Sequence, residues 1–332
     1  MPLSTSDHLR FRELLSRPAS VVLTTHINPD GDGLGSQLAL AEALRAHGFT
    51  VSIINHDGVP GPYRFLDAGG SLFERYESER HDAMLADARW VVFVDTNQLS
   101  RLGRMEPVVA ASSAEKVIID HHPDPGAFAA IALIDTEASS TGEIVFGLLD
   151  EAGQMPLSRS AANALYTAIM TDTGSFRFPK TDADLHRIVA RLIEMGADPV
   201  GTYQHVYEEG PAHRLQLLGE VLAGLRLAHE GRLCAFTVTR EMFTRTGTSE
   251  IDTDAFVPMT LTIGGVQIGL MFTELSDGIK INFRSRGSVA VNKLAQEFGG
   301  NGHQNAAGAR VRNVDLETLR PEVIARARHY LI

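Results

Sequence analysis

The chain is nearly free of cysteine. One thiol, Cys234, stands among 332 residues, so no internal disulfide can form and no zinc site can be built on several cysteines. This excludes a disulfide-stapled scaffold and points to a reducing compartment. Long hydrophobic runs are missing too. The longest, Ala127–Ile134, has eight residues, whereas a membrane-spanning helix needs about 20. Met1–Ala19 holds no apolar stretch of the kind a secretory signal carries, so a soluble, cytoplasmic protein is expected. Basic charge is scarce: 30 Lys+Arg face 41 Asp+Glu, for a net charge of −11. Such a chain is not suited to coating long nucleic acid, because neutralising phosphates takes Lys and Arg.

What is present is an ordinary globular composition, 44% hydrophobic and 21% charged. It excludes a collagen, a coiled coil and a disordered chain, and the length suggests two domains. The charge is uneven. From Lys280 onward nine Lys/Arg stand against four Asp/Glu, a balance of +5, while residues 1–279 carry 21 against 37, a balance of −16. This division suggests metal ions in one part and an anionic substrate held by another.

The N-terminal half alternates between strand and helix patterns. Val21–His26, Val51–Ile54, Trp90–Val94 and Val117–Ile119 are short apolar runs, as expected of strands buried on both faces. Leu34–His47 has helical apolar spacing and ends before Gly48; further helices are expected at Ser140–Ala152 and Ser158–Met170. The alternation predicts an α/β domain with a largely parallel sheet flanked by helices. Helices near Asp184–Met195 and Ala212–Leu227 read as a helical linker. Strand patterns at Leu233–Val238, Val266–Phe272 and Gly278–Phe283 follow. A helix near Val289–Phe298, a Gly-rich loop at Gly299–His303 and a helix near Leu316–His329 complete a smaller α/β domain.

The chemistry is concentrated at element ends. His26-Ile-Asn-Pro-Asp30-Gly-Asp32-Gly-Leu-Gly35 joins a strand to a helix. Asp95 follows Trp90–Val94, Asp120-His121-His122 follows Val117–Ile119, and Asp172 ends a helix. Ligands of open parallel sheets bind beyond the carboxyl ends of the strands, so these residues are expected to share one crevice. Five carboxylates there repel one another, and two divalent cations relieve the repulsion. Carboxylate and imidazole donors without thiolate favour a hard ion such as Mn²⁺. Two such ions suit an in-line displacement at phosphorus. Separately, each motif has a plainer reading. Asp95 alone could be a turn residue, and Gly31, Gly33 and Gly35 with Asp57 could form a dinucleotide-binding turn. That spacing is G-x-G-x-G, and Asp30 and Asp32 would face the pyrophosphate.

Together, His26-x-x-Pro-Asp30-x-Asp32, Asp95, Asp120-His121-His122 and Asp172 resemble the DHH phosphoesterase family, over nearly the whole chain. Phe283-Arg-Ser-Arg286 and Gly299-Gly-Asn-Gly-His303 resemble its DHH-associated substrate-binding domain. Thr171-Asp-Thr-Gly-Ser-Phe176 and the size are most similar to the nano-RNase (oligoribonuclease) subgroup, whose members degrade very short RNA and often act on adenosine 3′,5′-bisphosphate. The resemblance implies that His26, Asp30 and Asp95 hold one metal and that Asp32, Asp95, His121 and Asp172 hold the other. It implies that His122 contacts the scissile phosphate or assists the leaving group, and that Asp120 orients the histidines. Arg284, Ser285, Arg286, Gly300, Gly302 and His303 are implied to bind substrate. Two departures stand out: Gly33 where the family usually has Ala, and Asn301 in place of the third Gly of a Gly-rich run before His303. Asn tolerates positive φ, so the loop is expected to keep its shape.

The domains implied are 1–182, metal-binding and catalytic; 183–230, helical linker; and 231–332, substrate-binding, with substrate in the cleft between domains. The expected activity is hydrolysis of short oligoribonucleotides and of the 3′-phosphate of adenosine 3′,5′-bisphosphate, with two Mn²⁺ ions. Long nucleic acid and membranes are not expected partners, and a homodimer is one candidate assembly. The rivals are a cyclic or linear dinucleotide phosphodiesterase, a family II inorganic pyrophosphatase and a non-catalytic nucleotide-binding module.

Overall fold

The computed structural model describes residues 3–151, 157–253 and 255–332, without the side chains of Glu151 and His303. The chain forms two compact units that divide between Glu209 and Gly210. This boundary lies inside the segment expected as a linker.

In the first unit the order is α1 (Thr5–Leu15), β1 (Ser20–Thr24), α2 (Gly31–Ala46), β2 (Thr50–Asn55), β3 (Phe73–Arg75), α3 (Ser78–Asp87) and β4 (Trp90–Val94). There follow α4 (Glu106–Ala111), β5 (Glu115–Asp120), β6 (Ile131–Ile134), α5 (Thr141–Glu151), α6 (Arg159–Asp172), α7 (Ala183–Glu194) and α8 (Pro199–Tyr203). Ala152, the expected end of α5, lies outside the described residues. The six strands form one sheet, ordered β3-β2-β1-β4-β5-β6, and every pairing is parallel.

Both faces of this sheet are covered, which explains the unbroken apolar runs. Val21, Leu23, Val92, Val94, Val117 and Ile119 face one core with residues of α2, α5 and α6. Val22, Val91, Phe93 and Ile118 face the other with Leu85, Met105 and Val109. Helix α2 is buried nearly all round, because it lies against the sheet, α5 and α6. Gly35 permits the α2–α6 approach: a Cβ there would stand 2.2 Å from the Ala164 carbonyl oxygen. At the start of α2, a Cβ on Gly31 would meet Thr171 Oγ1 at 2.4 Å. The helix start carrying Asp30 and Asp32 is therefore close to the helix end carrying Asp172.

The second unit contains α9 (Ala212–Ala223), β7 (Arg226–Ala228), β8 (Leu233–Val238), α10 (Arg240–Thr246), β9 (Ile268–Leu275) and β10 (Gly278–Ser285). After these come α11 (Val291–Glu297), β11 (Asn301–His303), β12 (Ala306–Arg312) and α12 (Leu316–Ala327). Its sheet runs β11-β12-β10-β9-β8-β7. Leu233, Ile281, Phe283, Leu294 and Val323 share a core on one face, and Cys234, Phe236 and Met271 share another with Leu217 of α9. Burial pushes the Cys234 thiol up to about 11, so it is an inert packing residue.

Two expectations are revised here. The helix expected to reach Leu227 stops at Ala223, because Gly224 ends it and Arg226–Ala228 pair with β8. The Gly-rich run is largely an edge strand: Asn301–His303 pair with β12 in a hairpin turning at Gln304–Asn305. Asn301 is not among the positive-φ residues, so Asn fits as an extended residue. Gly302 has φ 146°, and a Cβ there would stand 2.5 Å from the Ala306 carbonyl oxygen.

Candidate metal centre

Strands β1, β4 and β5 are neighbours, and just at or beyond their carboxyl ends come His26, Asp95 and Asp120–His122. Connections lead one way from β1 to β2 and the other way from β4 to β5, so the crevice opens at a topological switch point. Asp30 caps α2, its Oδ1 accepting N–H from Asp32 at 3.1 Å and Gly33 at 3.2 Å. Asp32 sits in the first turn of α2, and Asp172 is the last residue of α6. Asp95 has a left-handed backbone, φ 59°, an unusual state for a side chain beyond glycine.

The donors form overlapping groups. His26 with Asp30 and Asp95, Asp32 with His121 and Asp172, and Asp95 with His121 and His122 each bring donor atoms within 4.8 Å of one another. His26 Nε2 lies 3.4 Å from Asp95 and 3.8 Å from Asp30. His26 Nδ1 donates to the Ile27 carbonyl oxygen at 2.8 Å, which leaves the Nε2 lone pair on the acid side. His121 Nε2 lies 3.4 Å from Asp172, 3.7 Å from Asp95 and 3.8 Å from Asp32. Asp120 Oδ1 is 2.8 Å from both the His121 backbone nitrogen and His122 Nδ1.

Helix α5 holds two of the acids. Asp32 accepts the backbone N–H of Thr141 at 2.7 Å and of Gly142 at 2.8 Å, at a helix end that favours anions. The Thr141 hydroxyl donates to Asp95 Oδ1 at 3.0 Å. Even so, burial foremost, then Asp95, Asp172 and Asp30, push the Asp32 carboxyl well above its ordinary range. Burial, then Asp30, Asp120 and Asp172, do the same to Asp95. Asp172 is raised to about 6 by burial and Asp30, and burial lowers His121 to about 4. Crowded oxygen donors with the imidazole of His121 held neutral fit divalent cations, which turn this mutual repulsion into attraction.

All the expected metal ligands meet in the first unit. The expected substrate residues all belong to the second, with mixed placement. Arg284, Ala306 and His303 occupy one cross-strand row of β10, β12 and β11. Arg284 is half-buried and donates to the Phe283 carbonyl at 3.0 Å. Arg286 lies just past β10 and bonds the Leu261 carbonyl. Ser285 is buried, donates to the Val289 carbonyl at 2.6 Å and accepts from Asn305 at 2.9 Å, so its hydroxyl serves the local turn. Gly300 permits close backbone packing, since a Cβ there would stand 2.3 Å from the Gly308 carbonyl oxygen. The His303 side chain lies outside the described set. Asp57 accepts the Asn28 N–H at 2.9 Å, and so braces the His26–Asp30 loop. Thr141 and Gly142 went unread as site residues. Their signal is Ser139-Ser140-Thr141-Gly142 ahead of an apolar helix, a capping sequence.

The model of the DHH family N-terminal domain matches residues 20–169, and that of the DHHA1 domain matches residues 234–331. A bifunctional oligoribonuclease and PAP phosphatase NrnA of Thermus thermophilus is 30% identical over 314 residues, 94% of this chain and 90% of that protein. The chain belongs to the DHH family. This DHH chain is also 28% identical to the NrnA of Bacillus subtilis, over 90% of its own length and 94% of that protein. Among solved structures, an exopolyphosphatase-related protein of Bacteroides fragilis superposes with a TM-score of 0.93 at 30% identity. That match covers 98% of this DHH chain and 96% of the other. DHH enzymes are metal-dependent phosphoester hydrolases. Among the described residues no helix is long and apolar enough to cross a membrane.

Proposed function

We propose that this DHH chain hydrolyses short oligoribonucleotides to mononucleotides and removes the 3′-phosphate of adenosine 3′,5′-bisphosphate, with two divalent cations, Mn²⁺ by preference. The observation that carries this reading is the overlap of donor groups through Asp95 and His121, in a chain resembling NrnA enzymes over nine-tenths of its length. His26, Asp30 and Asp95 would hold one ion; Asp32, Asp95, His121 and Asp172 would hold the other. When bound, two such ions supply positive charge at the phosphoryl oxygens and an acidified water.

The chain's own residues do the rest. Asp120 accepts a hydrogen bond from His122 Nδ1–H, so the opposite nitrogen, Nε2, is the edge from which a proton passes to the departing oxygen. Asp120 also stabilises the imidazolium that such a transfer requires. Thr141 and Gly142 hold Asp32, and Thr141 holds Asp95, so neither acid must be reoriented when an ion arrives. Arg284 is read as gripping a phosphate remote from the scissile bond. We read the enzyme as cytoplasmic, with a homodimer as its candidate assembly.

A substrate panel with Mn²⁺ tests the proposal: adenosine 3′,5′-bisphosphate, RNA of two to about twenty nucleotides, cyclic di-AMP and pyrophosphate. The expected order puts dinucleotides and the bisphosphate first. Faster turnover of cyclic di-AMP or pyrophosphate would overturn it.

A further inference from the structure

Lys180 lies eight residues beyond Asp172, past the end of α6. Its side chain reaches the loop between β6 and α5. There the ammonium donates to the Thr136 carbonyl oxygen at 2.7 Å and to the Ala138 carbonyl oxygen at 3.0 Å. The Ala138 oxygen is also the acceptor facing His121 Nδ1, at 3.4 Å. A carbonyl oxygen has two lone pairs, so one atom can serve both donors. The loop has local anchors as well: Glu137 and Ala138 donate their N–H groups to Asp135, and Ser139 donates to Glu143. Lys180 adds a tie from the segment that follows Asp172. It therefore links the chain carrying one acid to the carbonyl beside the imidazole that faces that acid.

The orientation of His121 depends on that carbonyl. With its Nδ1 proton directed at Ala138, the ring keeps its Nε2 lone pair towards Asp172, Asp95 and Asp32. The alternative neutral tautomer would place a proton on Nε2 and block it as a ligand. We propose that Lys180 is a positioning residue of the metal centre, holding the Ala138 carbonyl against the His121 ring and so fixing which ring nitrogen meets the cation. The inference rests on the reading of His121 as a metal ligand. Its ammonium also adds positive charge beside Asp172 and His121, which softens the crowding of acids without occupying a ligand position.

The test uses full-length, metal-free protein and Mn²⁺ as the probe, with Lys180→Met and Lys180→Arg. Lys180→Met should weaken Mn²⁺ binding by up to about 10-fold, the low end of the loss seen when a histidine's direct partner is removed, because the Ala138 carbonyl itself remains. In ¹H–¹⁵N spectra of the imidazoles, the His121 ring should change from one tautomer to a mixture. Lys180→Arg, whose planar fork can serve two carbonyls, should recover most of the affinity. Because Lys180 is exposed, metal-free Lys180→Met should melt only slightly below wild type, as the loss of an exposed charge predicts. Wild-type affinity with an unchanged His121 tautomer in Lys180→Met overturns the proposal, as does equal loss in the Met and Arg variants. These readouts need no substrate. A protein that hydrolyses no phosphoester yet shows these shifts loses the proposed function and keeps the role of Lys180. Unchanged Mn²⁺ affinity and stoichiometry in His121→Ala would instead remove the ligand reading on which that role rests.

Discussion

Asp120 Oδ1 stands 2.8 Å from His122 Nδ1, and the acid is fully buried while the imidazole is partly open to solvent. A buried carboxylate behind a more accessible histidine orients the ring. His122→Ala should lower kcat while Mn²⁺ stoichiometry, read by metal analysis, stays at the wild-type value. Asp120→Asn should cost roughly 10–100-fold in activity. Loss of one bound ion in His122→Ala would reassign that ring as a ligand.

Asp95 belongs to more than one donor group, so Asp95→Ala should be the most damaging single ligand change. Equilibrium dialysis should show the loss of more than one site's worth of affinity. Retention of both ions at wild-type affinity would refute a shared ligand.

Asp172 gives a pH test with a definite sign. Its carboxyl is raised to about 6 in the folded, metal-free protein, against roughly 3.9 for an unperturbed Asp. The folded state thus binds this proton more tightly than the unfolded state. The contribution of Asp172 to metal-free stability is lost as pH rises from about 4 through about 6. Metal-free Asp172→Asn should melt above wild type at pH 7 and converge with it below pH 4. The gain should be about 1–2 kcal/mol once partial exposure is discounted. With Mn²⁺ present the order should reverse. Calorimetry near pH 6 in buffers of different ionisation enthalpy should show protons released on binding.

Gly33 and Thr25 form a steric pair. A Cβ on Gly33 would stand 2.5 Å from Thr25 Oγ1, a buried hydroxyl without a hydrogen-bond partner among the described residues. Here the threonine fills the space that a methyl at position 33 would need. Gly33→Ala should destabilise by about 1–3 kcal/mol, as overpacking does. Adding Thr25→Ala should recover most of that. A double-mutant cycle by urea denaturation checks the coupling, and strict additivity would contradict it.

Arg284 tests the grip on a remote phosphate. A charge-assisted hydrogen bond is worth roughly 1.5–3 kcal/mol, so Arg284→Ala should lower kcat/KM on a dinucleotide about 10–150-fold. Bis-p-nitrophenyl phosphate, which has no second phosphate, should react almost as before. Equal loss on both substrates would place Arg284 at the chemistry or in the fold.

Much of the donor cluster was legible because buried parallel strands must be apolar until their ends, so His26, Asp95 and Asp120 stand out where the apolar runs stop. The alternation of these strands with helices also placed the ends together. Thr141, Gly142 and Lys180 were not legible. The first two act chiefly through backbone N–H groups and Lys180 through carbonyls, and such bonds leave little trace in residue type. Strand β12 went unread because Ala306–Arg312 is rich in Ala and Gly; its pairing comes from the strands beside it. The basic C-terminal segment was read by its charge alone. Arg310 and Arg312 pair with Asp277, and Lys280 with Glu250, acids that precede the segment counted.

The left-handed backbone of Asp95 sets function and stability against each other at one codon. Glycine adopts that conformation without penalty, and one base change turns an Asp codon into a Gly codon. Asp95→Gly would relieve the backbone strain and the buried repulsion, but it would also strip the Thr141 hydroxyl of its acceptor and remove the acid that two donor groups share. A single base change can therefore exchange the shared acid of the donor cluster for an easier backbone at this position.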